Sequence, residues 1–264
     1  MMRSLYTAST GMYAQQMNID TLAHNMSNVN TTGFKKQRIE FQDLLYQQIK
    51  RPTVTDDFTQ PNQPQGLMVG LGVKPSTTST MFSQGNFLPT DNPLDVAING
   101  QAFFKLEIPD REDYVFTRDG SFKIDAEGQL VNADGYLVVG ADPLEEGAYD
   151  VKIEKNGTLS YLLPGDPDSQ NAGQIELVKF ANPMGLLQLG GNLFQETPNS
   201  GEYIDWEPEN DPTISLESGF LEASNVQVVE EMVNLISAQR AYEFNSKIIQ
   251  SSDEMLQAAS NLRR

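Results

Sequence analysis

A chain of 264 residues with no cysteine and a single histidine, His24, has no disulfides, no thiolate metal site, no cysteine nucleophile and no histidine pair for a metal. Its formal charge of -18 opposes the counterion release that binding to phosphate backbones requires, which excludes nucleic acid as a partner. No stretch approaches the roughly 20 continuous apolar residues of a membrane helix, so no membrane insertion is expected.

The acid is unevenly spread. Residues 1–51 carry 6 basic and 3 acidic groups, residues 219–264 carry 4 and 6, and the middle holds the other 8 and 27. Nearly neutral ends can pack together, whereas a middle of like charge faces solvent.

Leu5, Met12, Ile19 and Met26 stand seven apart, with Ala8, Leu22 and Val29 each three residues after one of them in the d-like positions, which predicts an amphipathic helix at the N-terminus. Asn-Thr-Thr-Gly at 30–33 predicts its end, with Gly33 taking the left-handed conformation that closes many helices. Gln15 interrupts the stripe, and the run is too short for a self-sufficient coiled coil, so a partner helix is required. His24 lies inside this stripe, where a packing or surface role outweighs catalysis. The next segment, KKQRIEFQDLLYQQIK, fits either a short helix or an irregular connector. Residues 52–66, rich in Pro, Asp, Asn and Gln, read as an extended arm, which makes 34–66 a connector.

Residues 67–218 change to short β-like runs: VAING, QAFFKLEI, YVFTRDGSFKIDAEGQLVNADGYLVVG, IEKNGTLSYLL and QIELVKF. Asp119-Gly120, Glu127-Gly128, Asp134-Gly135 and Asn156-Gly157 suit tight turns between antiparallel strands. The acidic run EYIDWEPENDP at 202–212 reads as a solvated loop that Trp206 pins to the core. DAEGQLVNADGY lacks the ligand order of an EF-hand, and turn chemistry explains its acids better. Neither GxxxxGK[ST], GxSxG nor HExxH occurs, and proximity among 36 acids says almost nothing about glycosidase geometry.

A second helical stripe closes the chain. Leu235, Tyr242, Ile249 and Leu256 are seven apart, joined by Val229, Met232, Val233 and Ile236, with Leu262 extending it. Ser224 and Gln227 have the form of a capping box, with Asn225 as a competing N-cap, so the helix is expected to begin near 225.

The same residues resemble the flagellar rod and hook axial protein family. The segment AHNMSNVNTTGFKKQRIEFQDLLYQ at 23–47 is similar to that family's N-terminal signature, carried by Asn25, Asn28, Asn30, Thr31, Thr32, Gly33, Phe34 and Lys35. NPLDVAINGQAFFKL at 92–106 and FTRDGSFKIDAEGQLVNADGYLVVG at 116–140 resemble its β-domain motifs, and residues 224–262 resemble its C-terminal helix. Overall length and the run GLMVGLGVKPSTTSTMFSQGNF at 66–87 are most similar to members that form the distal rod. His24 stands where the family commonly has Asn, and the acidic stretches around 142–150 and 200–212 are less typical.

The resemblance implies an α+β fold. Its N-terminal helix (1–33) and C-terminal helix (219–264) would pair as a coiled-coil-like axial domain, and 67–218 would form an outer, mostly antiparallel β domain. It implies a structural subunit of the distal rod, with no enzymatic activity and no cofactor, that self-assembles into a hollow helical tube. Leu5, Met12, Ile19, Leu22, Met26, Val229, Met232, Leu235, Ile236, Tyr242, Ile249 and Leu256 would form the intersubunit core. The partners implied are further copies of the chain, proximal rod and hook proteins, basal-body ring proteins and peptidoglycan, and the flagellar type III export apparatus. The implied place is the rod that spans the periplasm, reached without a cleaved signal peptide. A proximal rod or hook subunit is the alternative within the family. An extracytoplasmic enzyme or a calcium-dependent adhesion module is the alternative outside it.

Overall fold

The computed structural model describes residues 2–50, 66–109, 113–145, 147–164, 169–208 and 211–261. The chain divides into two compact units, one of Met1–Met26, Gln37–Ser79 and Val228–Arg264, the other of Ser27–Lys36 and Thr80–Gln227. The fold class is α+β, as expected, but this division differs from the expected limits. The signature loop groups with the β unit, and residues 67–79 group with the helices.

In the first unit, α1 (Met2–Ser27) and α2 (Val228–Asn261) run antiparallel. The Ser4 and Ser252 hydroxyls are 3.3 Å apart, and Asn25 Nδ2 donates to Glu231 Oε2 at 3.3 Å. Between them the Asn245 side chain crosses Gly11 so closely that a Cβ on Gly11 would lie 3.0 Å from Asn245 Nδ2. The residue numbers of all three pairs add to 256, so a single register runs the length of the contact. The buried side chains on the helices are Ala8, Ala14, Leu22 and Asn25 on α1 and Glu231, Ala238 and Ser252 on α2. Small and polar groups thus dominate the intramolecular seam.

Two expectations about the helix ends are corrected. The helix α1 stops at Ser27, so Gly33, although its φ is +68°, lies too far along to close it. The helix α2 starts at Val228 because the Asn225 side chain is held elsewhere. Its Oδ1 accepts from the Lys36 amide at 2.7 Å, and its Nδ2 donates to the Met81 carbonyl at 2.8 Å.

The segment after the signature is neither helix nor irregular connector. Gln37–Asp43 pairs with Val73–Thr80, and Tyr46–Lys50 pairs antiparallel with Leu67–Gly70. Asn25 fixes the start of the first strand by accepting from the Gln37 amide at 2.9 Å and donating to the Gln37 carbonyl at 2.8 Å. Ile39 is then buried, two residues along the same pleat face. The arm at 52–66 lies outside the described residues except for Gly66.

The second unit is built on a nine-stranded sheet in which Phe103–Glu107 is central. Along one edge it pairs antiparallel with Tyr114–Thr117. Along the other, Leu177–Lys179 meets its first half and Leu137–Val138 its second. Burial of Phe103, Phe104, Lys105 and Leu106 in succession means that both faces of this strand are covered. Phe104 and Leu106 enter a large cluster with Val96, Ile98, Leu159 and Leu216, whereas Phe103 joins a smaller aromatic one with Phe116, Phe180 and Phe194. Trp206 is buried in the large cluster, and its indole N–H donates to the Asp211 carbonyl at 3.0 Å, which anchors the acidic run as expected. Gly120 is required by close approach, since a Cβ there would lie 1.7 Å from the Val96 carbonyl oxygen.

Candidate assembly surfaces and the buried signature loop

The signature residues fall into two groups. Asn25 belongs to the helix seam described above. From Asn28 onward the chain turns into the β unit, with the Thr31 amide donating to the Asn28 carbonyl at 3.2 Å and Asn192 Nδ2 donating to the Thr32 carbonyl at 2.9 Å. Asn30 is exposed. The Gly33 amide donates to the Glu222 carbonyl at 2.8 Å, and a Cβ on Gly33 would sit 2.8 Å from the Asp119 nitrogen. Positive φ and this contact both demand glycine there. Phe34 is buried beside it.

Lys35 then reaches a fully buried carboxylate. Its Nζ lies 2.6 Å from Glu222 Oε1 and donates to the Ser83 carbonyl at 2.9 Å. The Gly85 amide also donates to Glu222 Oε1, at 2.9 Å, while Arg118 approaches Glu222 Oε2 at 3.3 Å and donates to the Gly100 carbonyl at 2.8 Å. All three charged side chains are at most 1% exposed. Burial lowers the Lys35 pKa, opposed by the Glu222 charge and reinforced by Arg118; burial also lowers that of Arg118, again opposed by Glu222. Two cations on one anion leave a net positive charge inside the unit. The cluster ties together the loop after α1, the strand beginning at Phe103 through Gly100, and the segment leading to α2. The sequence signalled Lys35 and Gly33 only through the family motif, and neither Arg118 nor Glu222 was anticipated, because nothing in a single sequence links positions 35, 118 and 222.

Of the twelve helical positions nominated for an intersubunit core, Leu22 is buried, and Leu5, Met12, Ile19, Met26, Leu235, Ile249 and Leu256 are half-buried. Val229, Met232, Ile236 and Tyr242 are exposed, as are Met2, Val233 and Phe244 nearby in the chain. The exposure is large, with Val229 at 76% and Phe244 at 64%. Each helix therefore keeps an apolar surface that the seam in its own unit does not cover. His24 is exposed on α1.

Among the described residues, no group of three or more Asp, Glu or His side chains is placed to hold a metal ion, and no helix is long and apolar enough to cross a membrane.

Three protein-family models match the chain. They are described as flagella basal body rod protein, over residues 5–35; the flagellar hook protein FlgE/F/G D1 domain, over 97–161; and the flagellar basal body rod FlgEFG protein C-terminal region, over 217–262. The first ends on the signature loop and the last begins just before Glu222, so both partners of the buried Lys35–Glu222 pair lie within matched regions. The chain is 47% identical to the flagellar basal-body rod protein FlgG of Borreliella burgdorferi, with all of both chains covered. It is 44% identical to the FlgG of Caulobacter vibrioides, over 99% of this chain and all of that one, and 38% identical to that of Bacillus subtilis, over the whole of both. Identity at this level over the full length places the chain in the FlgG family of flagellar basal-body rod proteins.

Proposed function

We propose that this chain is the structural subunit of the distal rod, polymerising into a hollow helical tube that carries motor torque to the hook and lets exported subunits pass. Its role is mechanical, and no reaction or cofactor is involved. The observation that carries this reading is the apolar surface left on α1 and α2 beside a seam of small and polar groups. A helix pair that was complete in the monomer would put its Val, Met and Phe side chains inward.

In the rod, Leu5, Met12, Ile19, Leu22, Met26, Val229, Met232, Leu235, Ile236, Tyr242, Ile249 and Leu256 form a coiled-coil-like core with the helices of neighbouring copies. The contact is heterologous, and the rotation it sets between copies does not close into a ring, so it propagates as an open filament. Proximal rod and hook proteins continue the same packing at either end, while ring proteins and peptidoglycan surround it. The subunit crosses into the periplasm through the flagellar export apparatus.

Ile249→Asp tests this. Ile249 is half-buried in the isolated chain, and a carboxylate sealed there by a neighbour costs several kcal/mol in order of magnitude. The expected result is an exported, folded chain in cells that lack distal rod and hook. Normal rods and motility would remove Ile249 from the core.

A further inference from the structure

Asparagine is followed by glycine twice in the chain, at Asn99-Gly100 and at Asn156-Gly157. Such a pair is chemically vulnerable, because the glycine amide nitrogen can attack the asparagine side-chain carbonyl with no Cβ in its way. The fold treats the two pairs differently.

Asn156 and Gly157 form the turn between Tyr149–Ile153 and Thr158–Leu162, and both reacting groups are held there. The Gly157 amide is buried and donates to the Glu154 carbonyl at 2.9 Å, while Asn156 Oδ1 accepts from the Thr158 amide at 3.0 Å. Two short bonds to different partners fix the nitrogen and the carbonyl separately.

Asn99 is exposed at the end of the strand Val96–Asn99, and Gly100 is half-buried. A φ of +119° and a Cβ that would lie 2.9 Å from Ile214 restrict position 100 to glycine, so the fold itself imposes the vulnerable pair. Its contacts are long. The Gly100 amide donates to Gln84 Oε1 at 3.4 Å, Gln84 Nε2 donates to Asn99 Oδ1 at 3.5 Å, and Asn99 Nδ2 reaches Ser215 Oγ at 3.4 Å. The same Gln84 Nε2 is anchored on the Ile98 carbonyl at 3.2 Å. One side-chain amide therefore touches both the nitrogen that would attack and the oxygen that would take up charge.

We infer that Asn99 is a site of spontaneous deamidation, with Gln84 as a positioning residue. The Gly100 nitrogen, its proton lost to hydroxide from solvent, bonds to Asn99 Cγ. The oxyanion that forms on Oδ1 meets the Gln84 Nε2–H, a donor already in place where charge develops. The Cγ–Nδ2 bond then breaks, and Nδ2 leaves as ammonia with a proton taken from water, which restores the hydroxide. Water opens the resulting succinimide at either carbonyl, giving aspartate or isoaspartate. The isoaspartate form routes the backbone through the side chain and adds one carbon before Gly100, whose carbonyl accepts from Arg118 at 2.8 Å. Deamidation at Asn99 thus displaces an anchor of the buried Lys35–Glu222–Arg118 cluster.

The full-length chain, incubated folded at pH 8 and in urea as the unfolded reference, tests the site. Peptide mass spectrometry follows loss of each amide, and isoaspartyl methyltransferase labelling counts isoaspartate. With each rate divided by its own rate in urea, Asn99 is expected to react several-fold faster than Asn156 in the folded chain and to yield isoaspartate. Equal normalised rates, the reverse order, no conversion at Asn99, or aspartate without isoaspartate would each overturn the inference. Gln84→Ala and Gln84→Glu, which both remove the donor to Oδ1, are expected to slow Asn99 and leave Asn156 unchanged. An Asn99 rate that is unchanged or raised in both variants overturns the positioning role of Gln84.

Discussion

Replacing Glu222 by Gln removes one charge and almost no volume. Among the described residues, Glu222 is the sole anion between Lys35 at 2.6 Å and Arg118 at 3.3 Å, and it also accepts from the Gly85 amide. After the change, two cations remain buried without a counter-charge, and one carboxylate oxygen becomes an amide that points N–H donors at them. Breaking a buried ion pair by removing one partner costs ~3–5 kcal/mol. With a urea dependence of ~3 kcal/mol/M for a chain of this size, the midpoint should fall by ~1–1.7 M. Trp206 is the chain's single tryptophan and is buried in the large core cluster, so its fluorescence reports the β unit. The triple variant Lys35→Met, Arg118→Met, Glu222→Leu leaves no charge behind and should be closer to the parent than Glu222→Gln. A Glu222→Gln midpoint within ~0.3 M of the parent, which is ~1 kcal/mol on the same slope, would refute the claim that the cluster holds the signature loop in place.

Three further outcomes follow from the same geometry. Because burial lowers the Lys35 pKa, the unfolded chain holds the extra proton in the interval below 10.5, so stability rises with pH through that interval. Urea midpoints compared at pH 8 and pH 10 should show this slope in the parent and a smaller one in Lys35→Met. Hydrogen bonds from Lys179 and Thr213 lower the Asp211 carboxyl to about 2, so its contribution is present at neutral pH and is lost as pH falls through about 2. The Trp206 indole proton, bonded to the Asp211 carbonyl, should follow this titration by NMR, and Lys179→Ala should move the midpoint upward. Gly33→Ala combines a left-handed φ with a Cβ 2.8 Å from backbone, a loss of at least ~2 kcal/mol, seen as a melting temperature lower by ~4–8 °C.

The turn-and-strand text of the middle was legible because Gly and Asp mark turns locally, and Gly128, Gly135 and Gly157 do take positive φ. The two terminal helices were legible from their seven-residue spacing. The seam between them was not, because Ser4, Gly11 and Asn25 against Ser252, Asn245 and Glu231 carry no hydrophobic signal. The apolar stripe instead flanks the seam, where hydrophobicity alone does not say whether its partner lies in the same chain. Asn225 read as a cap because Asn caps helices in general, but tertiary contacts to Lys36 and Met81 claimed its side chain. Gln37–Asp43 was ambiguous by periodicity, and Asn25, twelve residues earlier, settled it as a strand. Each miss is a long-range contact overriding a local preference.

The most direct test of the account is where the chain sits in the flagellum. Immunogold electron microscopy of isolated hook-basal bodies, with antibody raised against residues 67–218, compares the straight rod with the curved hook. The account predicts gold on the distal half of the rod, outside the tube wall. Label confined to the hook or to the proximal rod, or absent from intact and partly dissociated structures alike, would contradict it.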